Sequence, residues 1–399
     1  MKAGWKTVKL GEACKIVNGA TPSTAVEANW GGPHCWITPA EMGGLSDPYV
    51  GETRRTLTDL GLADCSASLL PAGSVILSSR APIGHVILNT VPMATNQCCK
   101  SMIPRSDLDA KFLFYFIKAN VPLLESLGTG ATFKELSGGK LASVEIPIPP
   151  LAEQKRIVAL LDEAFAGIDE AKAKAETITG DVGQLKASIL SKHLTLAEAA
   201  MNQAWPTKRL ADVCQVLGGA TPSKKNPKFY GGDIPWATVG DMNVEVITTT
   251  EEYITQAAVA DCSTNIIPSG SIVMATRVGL GKVCVLGQDT AINQDLKGLT
   301  PRNTKELTTR WLYWWLKSKA SDIQKAGTGA TVQGVKMTFV QELEIPLPPL
   351  AEQKRIVALL DEMFAGTGQL SSHASRKMSK LSELKSSLLA QAFAGELTA

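Results

Sequence analysis

The sequence has neither a long hydrophobic run nor an excess of charge of one sign. Its 399 residues include 40 Lys and Arg against 38 Asp and Glu, which gives a formal net charge of +2. This balance excludes a strongly basic polyelectrolyte, so any DNA-binding surface must be local. The apolar run 311–316 is too short to cross a membrane, and residues 1–10 contain no apolar signal-peptide core. We therefore expect a cytoplasmic protein.

The sequence also lacks the residue spacing of a metal site. It has eight cysteines but no Cys-x-x-Cys pair, and its histidines do not lie near cysteines at zinc-binding spacing. The histidines are His34, His85, His193 and His373. Cys14 and Cys65 recur as Cys214 and Cys262 in the second half of the chain, so we interpret these four as small, buried residues of a repeated core. No bound metal is expected.

Catalytic motifs are weak or missing. Residues 226–229 begin like the Asn-Pro-Pro-aromatic loop of an adenine methyltransferase, but Lys228 replaces the second proline. Residues 279–282 lack the spacing and the Ser or Thr of a phosphate-binding loop. No cluster of His, Cys or carboxylates indicates a nucleophile or an acid–base pair. We therefore expect no catalytic residue in this chain and no cofactor of its own.

The sequence does contain a long internal repeat. Residues 151–163 recur unchanged as residues 350–362, and each copy follows a Glu-Ile-Pro-aliphatic-Pro-Pro segment. Shorter matches precede them: 19–23 with 219–223, Trp36 with Trp236, 96–97 with 293–294, and 128–132 with 327–331. The period is about half the chain, far longer than that of a solenoid. We predict two equivalent units, each a domain followed by an appended helix.

Composition and periodicity divide each unit into a strand-rich domain and a helical segment. Residues 1–150 and 205–349 have short β-branched runs broken by Gly, Pro, Asn and Asp, with one helical patch each, which predicts strand-rich α+β domains. Residues 151–204 and 350–399 have a helical pattern, and the prolines before them fit a helix start. At about 45 residues, each helix would be roughly 65–70 Å long.

Two apolar positions, four residues apart, recur in heptads through both helices. In the first helix they are Ile157, Ala164, Ala171, Ile178 and Leu185, with Leu161, Ile168, Ala175, Val182 and Ile189. In the second they are Ile356, Met363, Leu370, Lys377 and Leu384, with Leu360, Thr367, Ala374, Leu381 and Leu388. This seam predicts two antiparallel coiled-coil helices that separate two domains in a pseudo-twofold arrangement. Amphipathic helices packed on their own domains are the alternative.

Together these features resemble the specificity (S) subunit of type I restriction-modification systems. The resemblance covers nearly the whole chain and depends chiefly on the duplicated segments 146–158 and 345–357. Gly-Ala-Thr-Pro-Ser near each domain start and the late Gly-Thr-Gly-Ala-Thr also fit the family pattern. The first domain departs from it at 29–36, and at Cys98, where the family has Gly. The resemblance implies that each α+β domain is a target recognition domain for one half of a split DNA sequence.

The resemblance also implies partners. The helices would dock two methyltransferase (M) subunits for N6-adenine methylation, and restriction (R) subunits would add ATP-dependent cleavage. S-adenosylmethionine, ATP and Mg²⁺ would belong to those subunits, and this chain would be non-catalytic. Two rival interpretations remain: the specificity subunit of a bifunctional type II system, and a protein–protein scaffold without sequence-dependent affinity for DNA.

Base reading needs forked donors or amides on loops that reach the DNA grooves. In the first domain the DNA-binding candidates are Thr21, Ser23, Thr38, Arg80, Asn96, Gln97, Lys100, Thr129 and Lys134. In the second domain they are Thr221, Ser223, Lys224, Thr238, Arg277, Asn293, Gln294, Lys297, Thr328 and Lys336. Residues shared by both domains fit phosphate contacts or scaffold roles, because the two domains should read different bases. The Gly-Thr-Gly loops fit either a tight turn or a phosphate contact.

Residues that discriminate between bases are expected where the two copies differ. These places are 42–55 against 242–252, and Phe133 with Lys134 against 332–336. A solvated loop is the alternative at each. The duplicated helix starts should present one polar face twice and so recruit two copies of one partner. The docking candidates are Glu153, Lys155, Arg156, Glu352, Lys354 and Arg355.

Overall fold

The computed structural model describes residues 4–45, 47–130, 134–200, 205–262, 264–328 and 334–397, without the side chains of 191–200. The chain forms two compact units. Unit 1 is Met1–Ala175 with Arg376–Ala399, and unit 2 is Glu176–Ser375. Each unit therefore holds an α+β domain, the start of one long helix and the end of the other. The predicted fold class of two α+β domains with two long helices is confirmed.

The domain of unit 1 precedes the first long helix. Its strands are β1 Lys6–Lys9, β2 Cys14–Asn18, β3 Trp30–Ile37, β4 Tyr49–Val50, β5 Arg55–Leu57, β6 Val75–Ser79, β7 Ile83–Asn89, β8 Met93–Thr95, β9 Cys99–Pro104 and β10 Glu145–Ile148. The helices are α1 Leu10–Ala13, α2 Pro39–Met42, α3 Asp59–Cys65, α4 Ala110–Ala119, α5 Val121–Leu127, α6 Gly138–Ala142 and the long α7 Leu151–Ala200. A 3₁₀ turn spans Glu27–Asn29.

The domain of unit 2 has a similar succession of elements, with one added strand, β16, and a 3₁₀ turn in place of α2. Its strands are β11 Thr207–Arg209, β12 Cys214–Gly218, β13 Tyr230–Ala237, β14 Val246–Ile247, β15 Glu252–Ile254, β16 Ile266–Ile267, β17 Ile272–Ala275, β18 Val283–Leu286, β19 Thr290–Ile292, β20 Leu296–Pro301 and β21 Glu344–Pro346. The helices are α8 Leu210–Val213, α9 Gln256–Cys262, α10 Thr309–Ser318, α11 Ala320–Ala326, α12 Met337–Glu342 and the long α13 Leu350–Ala394. Short 3₁₀ turns span Pro227–Phe229 and Val239–Asp241.

The sheets of the two domains share one topology. In unit 1 the larger sheet has the order β2-β9-β6-β7-β4, a smaller one has the order β5-β3-β8, and β1 pairs with β10. In unit 2 the corresponding orders are β12-β20-β17-β18-β14 and β15-β13-β19-β16, and β11 pairs with β21. An inner strand of each smaller sheet, β3 or β13, carries the repeated tryptophan. Matched sequence positions therefore occupy matched places in the two folds.

Helices α4 and α10 form the centre of the two domain cores. Six consecutive residues are buried in each, from Phe112 in α4 and from Trp311 in α10. The Asp109 carboxylate caps α4 by accepting from the N–H of Phe112 at 3.0 Å, and the Thr308 hydroxyl caps α10 by accepting from the N–H of Trp311 at 3.2 Å. The apolar run 311–316 noted in the sequence therefore lies in a helix that is covered on all sides. Its sheet and a long helix cover α10, and α4 is covered in the same way.

The repeated cysteines differ in burial. Cys14 and Cys214 are buried at the starts of β2 and β12, as expected, and burial raises the pKa of each thiol to about 12. Cys65 and Cys262 are only partly buried, so that part of the expectation is wrong. They lie in the last positions of the short helices α3 and α9, in each of which a single residue, Gly61 or Ala258, is buried.

Within each unit, the start of one long helix packs against the end of the other. In unit 1 the Lys385 amine lies 3.0 Å from the Asp169 carboxylate and 4.6 Å from the centroid of the Phe165 ring. In unit 2 the Lys186 amine lies 5.9 Å from the centroid of the Phe364 ring. Pairing of start with end is the arrangement expected of antiparallel helices.

The predicted heptad seam is only half right. One column is buried or partly buried along both helices, and it contains Leu161, Ile168, Ala175, Val182, Ile189, Leu360, Thr367, Ala374, Leu381 and Leu388. The other column turns outward, since Ile178, Leu185, Leu370 and Leu384 are 45, 48, 53 and 47% exposed. Two helices without a third neighbour cover only a narrow stripe of each other, so the second column stays buried only where a domain also packs on it, as at Ile157 and Ile356.

Candidate nucleic-acid interface

In unit 1, a row of polar groups begins where the Gly-Ala-Thr-Pro-Ser segment meets the turn between β8 and β9. The Thr21 hydroxyl donates to the side-chain carbonyl of Gln97. The carbonyl of Cys98, the next residue of that turn, accepts from the N–H and the hydroxyl of Ser79 at 2.7 and 3.0 Å. Arg80, the residue that follows strand β6, therefore lies beside the turn.

The row continues through Arg80 to the Gly-Thr-Gly loop. Guanidinium Nη1 of Arg80 lies 3.5 Å from Glu135 Oε2. Thr129 and Glu135 exchange two backbone hydrogen bonds of 3.0 and 2.9 Å, which close the loop between them, and Lys134 is exposed within it. We call this row the polar strip of unit 1; it consists of Thr21, Gln97, Ser79, Arg80, Thr129, Lys134 and Glu135.

Unit 2 contains an equivalent polar strip, which consists of Thr221, Gln294, Thr276, Arg277, Thr328 and Gly334. The Thr221 hydroxyl donates to the side-chain carbonyl of Gln294. The N–H and hydroxyl of Thr276 donate to the Asp295 carbonyl at 2.8 and 3.0 Å. Thr328 and Gly334 exchange backbone hydrogen bonds of 3.1 and 3.0 Å. Because the same contacts recur with partly different side chains, the strip belongs to the repeated fold.

Glycine is required where the strip begins. A Cβ atom on Gly19 would lie 1.9 Å from the Asn96 carbonyl oxygen, and a Cβ atom on Gly219 would lie 2.0 Å from the Ile292 carbonyl oxygen. No side chain fits at such distances, so the repeated glycine lets the two backbones touch.

Both strip arginines are already paired with carboxylates, from different elements. Arg80 pairs with Glu135 of the Gly-Thr-Gly loop, whereas Arg277 Nη1 lies 3.2 Å from Asp295 Oδ1 in the β19–β20 turn. Cys98 occupies the position of Asp295 in unit 1, so that turn offers Arg80 no carboxylate. Arg80 and Arg277 remain about half exposed and can still approach a phosphate.

The candidate asparagines shape the strip. Asn96 Oδ1 accepts from the N–H of Cys98 at 3.0 Å, and Asn293 Oδ1 accepts from the N–H of Asp295 at 3.0 Å. Each side chain thereby stabilises the turn that carries the neighbouring glutamine. Cys98 does not have a positive φ, so its replacement of the family's glycine causes no backbone strain there.

Thr38 and Thr238 begin helical turns. The Thr38 hydroxyl accepts from the N–H of Glu41 at 3.4 Å, while Thr238 and Asp241 form a reciprocal capping box. Neither hydroxyl takes part in the contacts of the polar strips.

The candidate lysines fall into two groups. Lys100 is 7% exposed, and Lys297 Nζ donates to the carbonyls of Gln294 and Leu296 at 2.9 and 3.0 Å. Burial lowers the pKa of Lys297. Lys134, Lys224 and Lys336 are exposed, as are the candidate serines Ser23 and Ser223. Phe133 and residues 332–333 lie outside the described residues, as do 131–132 and 329–331 of the Gly-Thr-Gly-Ala-Thr segments.

One exposed cation was not singled out from the sequence. The guanidinium of Arg55, at the start of β5, lies 3.5 Å from the centroid of the Trp30 ring. The Trp30 indole N–H donates to the carbonyl of Ser23, next to the polar strip. The sequence places Arg55 at the end of the divergent segment 42–55, but only the fold stacks it on Trp30.

The polar residues of the duplicated helix starts face two ways, some toward their own domain and others toward solvent. Gln154 and Gln353 are fully buried against their own domains. Lys155, Arg156, Lys354 and Arg355 are exposed, and Arg355 Nη2 lies 2.7 Å from Glu352 Oε1. That contact lowers the pKa of Glu352. Of the docking candidates, the basic ones therefore face solvent in both units.

The described residues contain no group of three or more His, Cys, Asp or Glu that could hold a metal ion. They also contain no helix that is long and apolar enough to span a membrane.

Comparison with known proteins assigns these features to a family. The family described as Type I restriction modification DNA specificity domain matches residues 2–179 and again residues 202–376. A Methanocaldococcus jannaschii protein named Type I restriction enzyme MjaIX specificity subunit is 25% identical over 386 residues, which cover 90% of this chain and 87% of that protein. The Escherichia coli EcoR124I/EcoR124II specificity subunit is 29% identical over 244 residues, 59% of each chain.

Solved structures share the fold. A chain from work on complex assembly and conformational transition of the type I R-M system has a TM-score of 0.78 at 22% identity, covering all of this chain and 99% of that one. The HsdS subunit from Thermoanaerobacter tengcongensis has a TM-score of 0.56 at 21% identity and covers 100% of this chain and 98% of its own.

Proposed function

This chain belongs to the type I restriction-modification DNA specificity domain family, and on that premise we propose that it is the DNA-recognition subunit of a type I restriction-modification complex. The observation that carries the proposal is that the family matches twice, once over each repeat, and that each repeat builds the same polar strip. Neither rival interpretation, a bifunctional type II subunit or a protein scaffold, is favoured, since the relatives are named type I specificity subunits.

Under this proposal residues 1–150 and 205–349 are target recognition domains, and residues 151–204 and 350–399 are spacer helices. The domains would read two different half-sites in inverted orientation, about one helical turn or ~10 bp apart from centre to centre, if they are related by a pseudo-twofold. Residues of the polar strips would contact phosphates, since both strips repeat a Thr, a Gln and an Arg at matched positions.

The partners follow from the same premise. Two M subunits would dock on the duplicated helix starts, and R subunits would join the complex. S-adenosylmethionine, ATP and Mg²⁺ would be bound by those subunits, and the chain itself would be non-catalytic. The complex would act in the cytoplasm, where the host DNA lies.

The proposal is tested by mapping methylated adenines in the genome of a host that carries the chain with its M subunits. The expected result is one split word with two unlike halves, methylated only when this chain is present. A host methylome that is identical with and without the chain would overturn the proposal.

Alanine at Arg80 or Arg277 should weaken DNA binding by the complex evenly across sequences. The salt dependence of binding should become shallower by about one unit of slope, because one phosphate contact is lost, and the preferred word should not change. Glu135→Gln should have the opposite effect on affinity, since it removes a carboxylate that competes with phosphate for Arg80. Titrations at several salt concentrations measure both effects, and a changed word in either alanine variant would contradict the assignment to phosphate.

Reversal of charge at Lys155 and Arg156 should weaken the docking of one M subunit and leave the other in place. The same change at Lys354 and Arg355 should affect the other M subunit, because the two helix starts are identical in sequence. Native mass spectrometry of the reconstituted complex counts the bound subunits. Full occupancy in both double variants would mean that these exposed cations do not contribute to docking.

A further inference from the structure

Two matched positions of the repeat carry opposite charges. Arg55 and Glu252 begin strands β5 and β15, and they pair with Trp36 of β3 and Trp236 of β13 in the same antiparallel register. The preceding residues confirm the match, since the N–H of Arg54 donates to Glu41 at 2.7 Å and the N–H of Glu251 donates to Asp241 at 2.9 Å. A cation in one domain therefore stands where the other domain has an anion.

The Arg55 guanidinium is held in place without an ion pair. Its carbon lies 3.5 Å from the Trp30 ring centroid and 5.6 Å from the Trp36 ring centroid. Within the described part of the chain it has no carboxylate partner, unlike Arg80 and Arg277. Stacking occupies the flat face of a guanidinium and leaves its N–H edges available to a ligand.

The platform beneath Arg55 is itself fixed to the polar strip. Trp30 and Trp36 pack edge to face, with centroids 5.1 Å apart at 80°. Their indole N–H groups donate to the carbonyls of Ser23 at 3.2 Å and Ala20 at 3.0 Å. Ala20 and Ser23 flank Thr21, the first residue of the strip. A ligand that contacts the strip therefore lies within reach of Arg55.

The equivalent place in unit 2 is a shallow, acidic cleft. Tyr230 replaces Trp30 and packs on Trp236 with ring centroids 6.3 Å apart. The Tyr230 hydroxyl donates to the Pro222 carbonyl at 2.7 Å, which fixes the ring to the start of the strip as in unit 1. Glu252 and Tyr230 line this cleft together with Glu251, Tyr253 and Lys224. Within the described residues, the Glu252 carboxylate has no ion-pair partner.

Opposite charges at matched positions do not fit a shared contact to the DNA backbone, because a phosphate would repel Glu252. They fit contacts to base edges: arginine donates two hydrogen bonds to O6 and N7 of guanine, and glutamate accepts one from the N4 amino group of cytosine. We propose that Arg55 reads a guanine in the half-site of the first domain and that Glu252 reads a cytosine in the half-site of the second. This inference rests on the proposed function.

The test exchanges the two side chains in the reconstituted complex with its M subunits, and it measures binding to a DNA library and the methylated word. Arg55→Glu should exchange guanine for cytosine at one position of the first half, with discrimination altered on the order of 10- to 100-fold, and should leave the second half unchanged. Arg55→Gln should move the same position toward adenine, because an amide pairs with N6 and N7 of adenine. Glu252→Arg should change the second half alone.

The control is Arg105→Glu, which changes the charge of the same domain equally but lies beside Cys14, away from the strip. It should not change the word. If Arg55→Glu and Arg55→Gln both weaken binding evenly across sequences, or leave the word as it was, Arg55 does not read a base and the inference is wrong. If the wild-type complex itself methylates no split word, the proposed function fails instead, and the two failures are thus distinguishable.

Discussion

Exchange of residues 1–150 for the first recognition domain of another family member should replace one half of the DNA word and leave the other half unchanged. The expected effect is complete, because each domain would read its own half-site and specific sites are bound by on the order of a thousandfold or more over other DNA. Methylation mapping of the chimera measures it. Change in both halves, or in neither, would contradict the assignment of one domain to one half.

The structure explains why a long helix with an unchanged sequence can accept unlike domains. Gln154 Nε2 donates to the carbonyls of Asp107 and Pro149, each at 2.8 Å, and its Oε1 accepts from the N–H of Asp109 at 2.8 Å. All of these partners are backbone atoms. In unit 2 Gln353 binds the backbone of Glu306, Thr308 and Pro348 in the same way, and its Oε1 also accepts from the Thr308 hydroxyl at 3.1 Å. The backbone contacts, which both units share, do not depend on the side chains of the domain.

The second anchor is an aspartate of the long helix, and it needs only hydrogen-bond donors from the domain. Asp162 accepts from Lys111 at 2.7 Å and also from the Tyr115 hydroxyl. The corresponding Asp361 accepts from Arg310 at 2.7 Å and from the Trp314 indole at 2.8 Å. Both domains thus offer a cation and a ring donor on α4 or α10, though the residues differ. A control chimera should take its first domain from a relative whose α4 has neither the cation nor the ring donor. We expect that domain to pack poorly against the long helix.

Replacement of Gln154 by leucine should destabilise unit 1 by about 3 kcal/mol. The side chain is fully buried, and leucine has a similar volume, so the loss comes from one backbone N–H and two carbonyls left without this partner away from water. Urea unfolding gives the change in the free energy of unfolding. Hydrogen exchange gives its location, with faster exchange expected in α4 and the start of α7 but not in α10.

Lys155→Leu is the matched control. It introduces the same side chain one residue away, at an exposed position, and should change the free energy of unfolding by less than about 0.5 kcal/mol. Gln353→Leu should reproduce the loss in unit 2, with faster exchange in α10. Equal stability of Gln154→Leu and Lys155→Leu would show that the buried amide is not an anchor.

The long helices and their pairing were predictable because a heptad pattern is local information. The extent of the seam was not predictable in the same way. Leu185 and Leu384 fit the pattern as well as Leu161 does, yet they are 48 and 47% exposed. Burial of a helix position depends on whether a third element packs there, and the periodicity of one segment carries no information about that.

The repeat also decided which site residues could be found from the sequence. Matching of the copies identified Arg80 with Arg277 and Gln97 with Gln294, which lie in equivalent polar strips. It left Asn96 and Thr38 between a phosphate contact and a scaffold role, and in the structure their side chains hold backbone N–H groups. Those roles depend on where a nearby N–H points, and that direction is set by the turn.

The sequence by itself determined the duplication, the two α+β domains, the two long helices and the family resemblance, because each is carried by composition, short-range periodicity or repeated letters. Only the tertiary structure decided which polar groups meet. Arg55 lies on Trp30 across 25 positions of sequence, and Arg80 meets Glu135 across 55. Such contacts arise when strand pairing brings distant segments together, so the same residue types could be exposed, paired or buried in another topology.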